Sequence, residues 1–460
     1  MNRWLVPGIT VAVVGAVVAA ALTVLPAQQP PVTTPAVDDA RLSLVCPVSS
    51  SATATGRLAA VATGAGLRTA TLAEPADATD AEGVAVIKDP SEPQIVSGLR
   101  SASFGAVSLV RAADGPERGL SAAACASPVT EQWFTAVGLN DAAQAAVELT
   151  NIDKVDAIVD VAVWGDEGRV NAPGSRGIVV AAGSTRTLPL SVIATSANPV
   201  TLQVVSEQGR VAATLRQRLW DGSTPAGSDW IPPAAKPSPE VVISGIPDDA
   251  GSRQLVIGNP GERTTSVAIE LLTGDGPGQL PGLESVEVPA GTTRAFDLTE
   301  VLGGDAAGLR LTADFPVTAG VALTGPGGKK QRDPAWTSAQ QPLGPDGVWP
   351  LPEAKQATTV LQLANPSGGD STATVVFSDQ TGTAGQPVTV QVPAGSITRT
   401  PVPAAATAVV RVQAPAGSPL RASLLMRDDV QQLRGLAVIP LTGPEASLTV
   451  PTVRFDPHAG

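Results

Sequence analysis

Tyrosine is absent from the 460-residue chain, histidine occurs once, cysteine twice and methionine twice, and only 3% of residues are aromatic. The one histidine, His458, stands almost at the C-terminus. A Ser-His-Asp or Cys-His arrangement needs a buried, oriented imidazole, which a tail residue does not supply. A His/Cys metal centre lacks ligands for the same reason. Lys and Arg number 30 against 42 Asp and Glu, a formal charge of −12. Such a chain has no basic face for phosphate, so a nucleic-acid partner is not expected. Cys46 and Cys125 lie far apart and match no metal-type spacing. The expectation is therefore a protein that is not an enzyme and needs no cofactor.

What the chain does have is Ala, Val and Thr in short apolar runs, punctuated by 46 Gly and 42 Pro. Many short strands with turn-rich connections produce that texture, which predicts an all-β fold. The N-terminus differs. From Leu5 to Leu25 the chain is apolar and uncharged, close to the ~20 residues a helix needs to cross a bilayer. Arg3 precedes this run and Asp38 and Asp39 follow it, which keeps the N-terminus in the cytoplasm. A cleavage site wants small residues at two positions, and Leu25-Pro-Ala27 offers only the second. No cysteine follows, so a lipoprotein anchor is excluded. Residues 1–25 are read as an uncleaved single-span anchor in the cytoplasmic membrane, with secretion the outcome if they are cleaved. Either way the bulk of the chain is extracellular. Residues 26–41 are a Pro-rich, semi-rigid spacer.

The ordering feature of the remainder is a repeat. Leu255-Val-Ile-Gly-Asn-Pro-Gly261 recurs upstream as Leu149-Thr-Asn-Ile-Asp153 and downstream as Leu361-Gln-Leu-Ala-Asn-Pro-Ser367. The marker asparagines Asn151, Asn259 and Asn365 are 108 and 106 residues apart. A period that long describes whole domains in tandem, since solenoid repeats are shorter. Each marker leads into an alternating strand, with Val159, Val161 and Val163 in one copy and Val267, Ile269 and Leu271 in the next. Val180-Ala-Ala-Gly-Ser-Thr-Arg186 is answered by Val288-Pro-Ala-Gly-Thr-Thr-Arg294, whereas the last copy has Thr398 where the others have arginine. The predicted organisation is an N-terminal β domain over 42–127, then immunoglobulin-like β-sandwich repeats over 128–236, 237–345 and 346–445, with a tail over 446–460. The stretch 52–66 is small and polar and reads as loop or irregular strand. In an oxidising compartment Cys46 and Cys125 pair and tie the ends of the N-terminal domain together; the alternative is two buried free thiols.

The apolar N-terminal span, the Cys125-Ala-Ser-Pro and Trp133-Phe134 junction, the Leu-Thr-Asn turn, Ala182-Gly-Ser-Thr-Arg186 and Gly209-Arg-Val-Ala-Ala213 together resemble a family of actinobacterial secreted or membrane-anchored proteins, the domain of unknown function 5719. The resemblance implies export and a β-architecture. It brings no activity, cofactor or catalytic residue.

Candidate chemistry is sparse. The adjacent acids Asp248-Asp249 and Asp428-Asp429 fall in predicted turns and read as solvated loop acids. Asp153, Asp156 and Asp160 cluster in the manner of oxygen ligands for calcium, but match no known loop. Gly274-Asp-Gly-Pro-Gly278 and Gly325-Pro-Gly-Gly-Lys-Lys330 lack the context of a phosphate cradle. Lys329, Lys330 and Arg332 make a small basic loop tip. Trp220, Trp230, Trp336 and Trp349 fall near repeat boundaries, and Trp133 opens the first repeat. Such aromatics either stack on sugar rings or seal the junctions between domains, which would stiffen the array into a rod. The favoured function is a non-catalytic, envelope-anchored interaction or structural protein, with cell-wall polysaccharide or another envelope protein as partner. The alternative is a polysaccharide-binding protein or carboxylate-based glycan-active enzyme.

Overall fold

The computed structural model describes residues 41–51, 53–248, 251–326, 332–352, 357–403, 408–431 and 433–443. The expected membrane span, most of the spacer, and the tail with His458 lie outside these residues. No helix among the described residues is long and apolar enough to cross a membrane.

The described chain is nearly all strand, and its sheets are built from one pairing pattern used four times. In the second copy one sheet places Ser196–Gln208 between Ala157–Gly165 and Glu131–Leu139. The other runs Ser184–Pro189, Ala143–Asn151, Ala212–Asp221, Thr224–Ile231. Alternation sets the faces: Val159, Val161 and Val163 turn inward, while Asp160 and Ala162 between them stay half-exposed. The inward faces of both sheets form one core, from Phe134 and Val147 to Leu202 and Leu215.

The third copy joins two of these strands into one, Ala307–Thr324. Its first half pairs with Ser238–Ile246 and Thr265–Thr273, and its second half with Arg253–Asn259 and Pro334–Ser338. The fourth copy, from Asp346–Pro350 to Leu433–Pro440, repeats the pattern. So does the N-terminal region: Arg41–Cys46 pairs with Gln94–Leu99, Thr55–Ala62 with Phe104–Ala112, and that strand with Gly119–Ala124. The stretch read as loop or irregular strand thus supplies a regular strand of a fourth copy.

The marker asparagines hold the loops of the later three copies. Each is fully buried. Asn259 donates Nδ2 to the carbonyls of Arg263 (2.7 Å), Val288 (3.0 Å) and Pro289 (3.2 Å), and its Oδ1 accepts the Gly261 N–H. Asn365 bonds Gly369, Val392 and Pro393 in the same way, and Asn151 bonds Val155 and Val180. One amide therefore satisfies backbone groups of two separate loops, which an apolar residue could not do.

The copies close into a ring, where tryptophan-sealed boundaries had suggested a rod. The last strand of each sandwich is innermost: Gly119–Ala124 lies against Thr224–Ile231, that against Pro334–Ser338, that against Leu433–Pro440, and the last returns to Gly119–Ala124. The reason is burial. Pro334–Ser338 is buried at every position, and such strands need partners on both faces. A rod would leave one face of the first and last copies bare. Instead Val107, Leu109, Leu120 and Ala122 of the first sandwich complete the core of the fourth, beside Leu361, Leu424 and Ile439.

Candidate functional site

The inner strands of the first, second and fourth sandwiches line a cavity of about 390 Å³ where the ring closes. Its floor is apolar: Phe104, Ala122, Leu215, Ile231, Val438 and Ile439, all buried. Trp133, Trp230 and Trp349, drawn from the second and fourth sandwiches, complete the wall and are 3–4% exposed. The mouth is polar and open, with Lys236, Gln341 and Thr442 exposed.

Each indole is fixed by a neighbour. Trp133 stacks on Trp164 with centroids 5.3 Å apart and donates Nε1 to Glu131 (2.9 Å). The Arg216 guanidinium lies 3.9 Å over the Trp230 ring. Trp349 donates Nε1 to the Thr442 carbonyl (3.2 Å). Glu131 is the carboxylate of the wall; it also accepts from Gln203 (2.8 Å) and pairs with Lys236 (2.7 Å). Burial pushes its pKa up, but the bonds from Lys236, Trp133 and Gln203 outweigh that and lower it.

Beneath the cavity, along the inner strands, the junctions are polar. Asp333 Oδ2 accepts the Leu120 N–H (2.8 Å) and the Leu436 N–H (3.1 Å), tying the third sandwich to the first and fourth. Asp229 Oδ1 accepts from Ala122 (3.0 Å) and Trp230 (2.8 Å), tying the second to the first. Both side chains are fully buried, and burial raises both pKa values well above the ordinary carboxylate range. A side chain at Gly119 or Gly227 would collide with Asp333 or the adjoining Pro334, so glycine makes the room at both positions. Nearby, Glu117 pairs with Arg216 (3.2 Å) and Arg218 (2.8 Å). Burial works against its ionisation, but Arg216, Ser49, Ser50 and Arg218 hold its pKa at about 2. These acids are structural ties rather than cavity groups.

Other residues singled out in the sequence are dispersed. Cys46 and Cys125 are bonded, with S–S 2.01 Å, and Cys125 borders the cavity. Trp336 lies in the second sandwich's core and donates to the Ala136 carbonyl (3.2 Å), while Trp220 is half-buried and not part of the cavity. Asp248 is no free loop acid: Arg399 (2.8 Å) and Arg427 (2.9 Å) of the fourth sandwich clamp it. Nor is Asp428, which is buried within a strand facing Arg111 (3.2 Å) of the first sandwich. Asp249, Lys329 and Lys330 lie outside the described residues. The calcium candidates are spent separately: Asp153 pairs with Arg210 (2.8 Å), Asp156 accepts the Ala182 N–H, and Asp160 accepts the Gly177 N–H. Among the described residues no group of three or more acids, His or Cys is placed to hold a metal.

Sequence reasoning found the three cavity tryptophans but missed Asp229, Asp333 and Arg216. A signal existed. Asp229 directly precedes Trp230 within a boundary strand, and Asp333 stands three before Trp336 at the start of the next one.

No curated protein matches the chain. Among solved structures, a calcium-binding mutant of Bacteroides uniformis beta-glucuronidase 2 aligns with 50% of this chain at 12% identity, with a TM-score of 0.12. The alignment spans 26% of that enzyme, and a likeness so slight bears on neither fold nor activity. Residues 94–403, from the first sandwich into the fourth, match the family of unknown function DUF5719, and the chain belongs to that family.

Proposed function

We propose that this protein is a non-catalytic binding scaffold of the cell envelope. Residues 1–25 hold it to the cytoplasmic membrane, or release it if they are cleaved, and its ring of immunoglobulin-like sandwiches stands outside. The observation that carries the reading is the cavity: four sandwiches close into a ring through their inner strands, and three of those strands line a largely apolar site with a polar mouth. The Cys46–Cys125 bond supports an oxidising compartment. Cell-wall polysaccharide or another envelope protein is the partner to be tested.

The second reading, a glycan-binding or glycan-active protein, draws on the three indoles of the cavity. Its enzymatic form requires two carboxyls flanking the bond to be broken, and Glu131 is the acid on this wall. Tryptophan fluorescence of the purified protein, with and without cell-wall polysaccharide, is the first test, run beside an assay for newly released reducing ends. The scaffold reading expects no release. Release that is lost on Glu131→Gln would overturn it.

A further inference from the structure

We propose that the cavity binds the acyl chain of a single-chain lipid with an anionic head group, the chain buried within it and the head at Lys236. The inference rests on the reading of the cavity as the binding site of a scaffold, and it names the ligand class. Volume comes first. At roughly 30 Å³ for each water-sized group, 390 Å³ takes on the order of a dozen carbon-sized groups, the length of a medium acyl chain. Wall chemistry comes second. The buried part of the wall is mostly Ala, Val, Leu, Ile and Phe side chains, and the buried Gln132 among them already spends its amide on the Ala213 backbone, so an apolar chain is favoured and a hydroxylated ring would lose hydrogen bonds to water.

The indoles point the same way. A sugar stacks on an open aromatic face. Here Trp133 is stacked on Trp164, Trp230 lies under Arg216, Trp349 lies against Gly347, and all three are 3–4% exposed, so each has a face already taken and little free surface left for a sugar ring. The small indole surface that remains packs against methylenes as any apolar wall does. At the mouth, Glu131 also accepts from Trp133 and Gln203, so Lys236 is one of three donors to it. Lys236 is 60% exposed and has donors beyond the one aimed at Glu131, which fits it to a carboxylate or phosphate head.

Equilibrium dialysis of labelled dodecanoate against the full chain in nanodiscs, with empty discs subtracted, tests this. The expected result is saturable binding of one dodecanoate per chain. Ala234→Trp, which adds an indole at a residue lining the cavity, should weaken it at least tenfold. Lys236→Ala should weaken dodecanoate several-fold and leave dodecanol unchanged, an outcome that stands even if the tryptophan variant does not fold. Competition by a lysophospholipid but not by free phosphate would identify the lipid as the source of the head group. Absence of saturable binding, or equal binding by wild type and Lys236→Ala, overturns the proposal. Polysaccharide binding in place of dodecanoate would overturn it while leaving the scaffold reading intact; release of reducing ends would remove both.

Discussion

The first sandwich and the three that follow share one strand order but are held by different chemistry. In the second, third and fourth, a buried asparagine clips two loops by bonding backbone carbonyls. The first has Thr63 near the corresponding strand end, where its hydroxyl donates to the Ser103 carbonyl (3.2 Å) and accepts the Ser103 N–H (3.0 Å). It also has a covalent tie. In the first sandwich Val45 and Ala126 exchange backbone bonds beside the Cys46–Cys125 disulfide. The second closes the same place with the Ala234 N–H on the Trp133 carbonyl, and the third with Gln340 on Val242. The core of the first sandwich is also the smaller, and part of its apolar surface is lent to the fourth. A fold can thus keep its topology while one copy is tied by a hydroxyl and a cross-link and the others by an asparagine clip, each set satisfying backbone groups of its own.

Breaking the cross-link should have the largest effect. The bond spans 79 residues, and by the chain-entropy model its loss costs about 4 kcal/mol. Cys46→Ala with Cys125→Ala should lower the thermal midpoint, and hydrogen exchange should show the first sandwich opening ahead of the other three. Uniform exchange across all four would break the comparison. Next comes Asn259→Ala, which leaves Arg263, Val288 and Gly261 without buried partners and should cost about 3 kcal/mol in denaturant unfolding. Thr63→Ala, its counterpart in the first sandwich, should cost about 1 kcal/mol. Similar losses would mean that the clip and its substitute are equivalent.

The same contrast explains what could be read in the sequence. Asn151, Asn259 and Asn365 show a period because no other side chain makes that set of bonds, so the residue type itself carries the geometry. Alternation in Val159, Val161 and Val163 showed strands for the same reason. The first copy carries neither the asparagine nor the Ala-Gly-Ser-Thr turn, so its second strand was hidden in a small, polar stretch. Ring closure was hidden too. It is carried by residues such as Leu109 and Leu120, which look like any strand's core residues until their neighbours across the ring are known. Cavity tryptophans were legible as boundary markers, but which three would meet was not, because that follows from closure. Asp428 was misread because a charged pair looks like a turn, and only Arg111 from another sandwich accounts for its burial.

The axis gives a pH-dependent test of how the later sandwiches are joined to the first. Asp333 has a folded pKa raised well above its ordinary 3.8. The folded state then holds a proton that the unfolded state releases, so stability is full below 3.8 and is lost as pH rises through the folded value. Asp333→Asn keeps an oxygen for the Leu120 and Leu436 N–H groups and removes the titration. Its thermal midpoint should exceed that of the wild type at pH 7, and the gain should vanish near pH 4. An Asn variant less stable at pH 7 would show that the ionised carboxylate is what the axis requires. Asp333→Ala should destabilise at both pH values, because two buried N–H groups lose their acceptor.

The smallest effect tests whether any repeat position tolerates exchange as the clip did. Thr398 stands where the other copies have arginine, yet its hydroxyl donates to the carbonyl of Gln391 at 2.9 Å, and Arg186 donates to Val179 at the same distance and the same sequence offset. Both bonds are exposed, so water competes for each. Thr398→Val should therefore cost roughly 0.5–1 kcal/mol in denaturant unfolding, and Thr398→Arg should restore it. If both variants match the wild type, the shared bond is incidental and the motif there reflects turn geometry alone. If Thr398→Arg is worse than Thr398→Val, the fourth sandwich has no room for the longer side chain, whose neighbours include Asp305 and Arg399. Restoration by arginine would show that these copies conserve a backbone bond rather than a residue, which is also how the first sandwich differs from the rest.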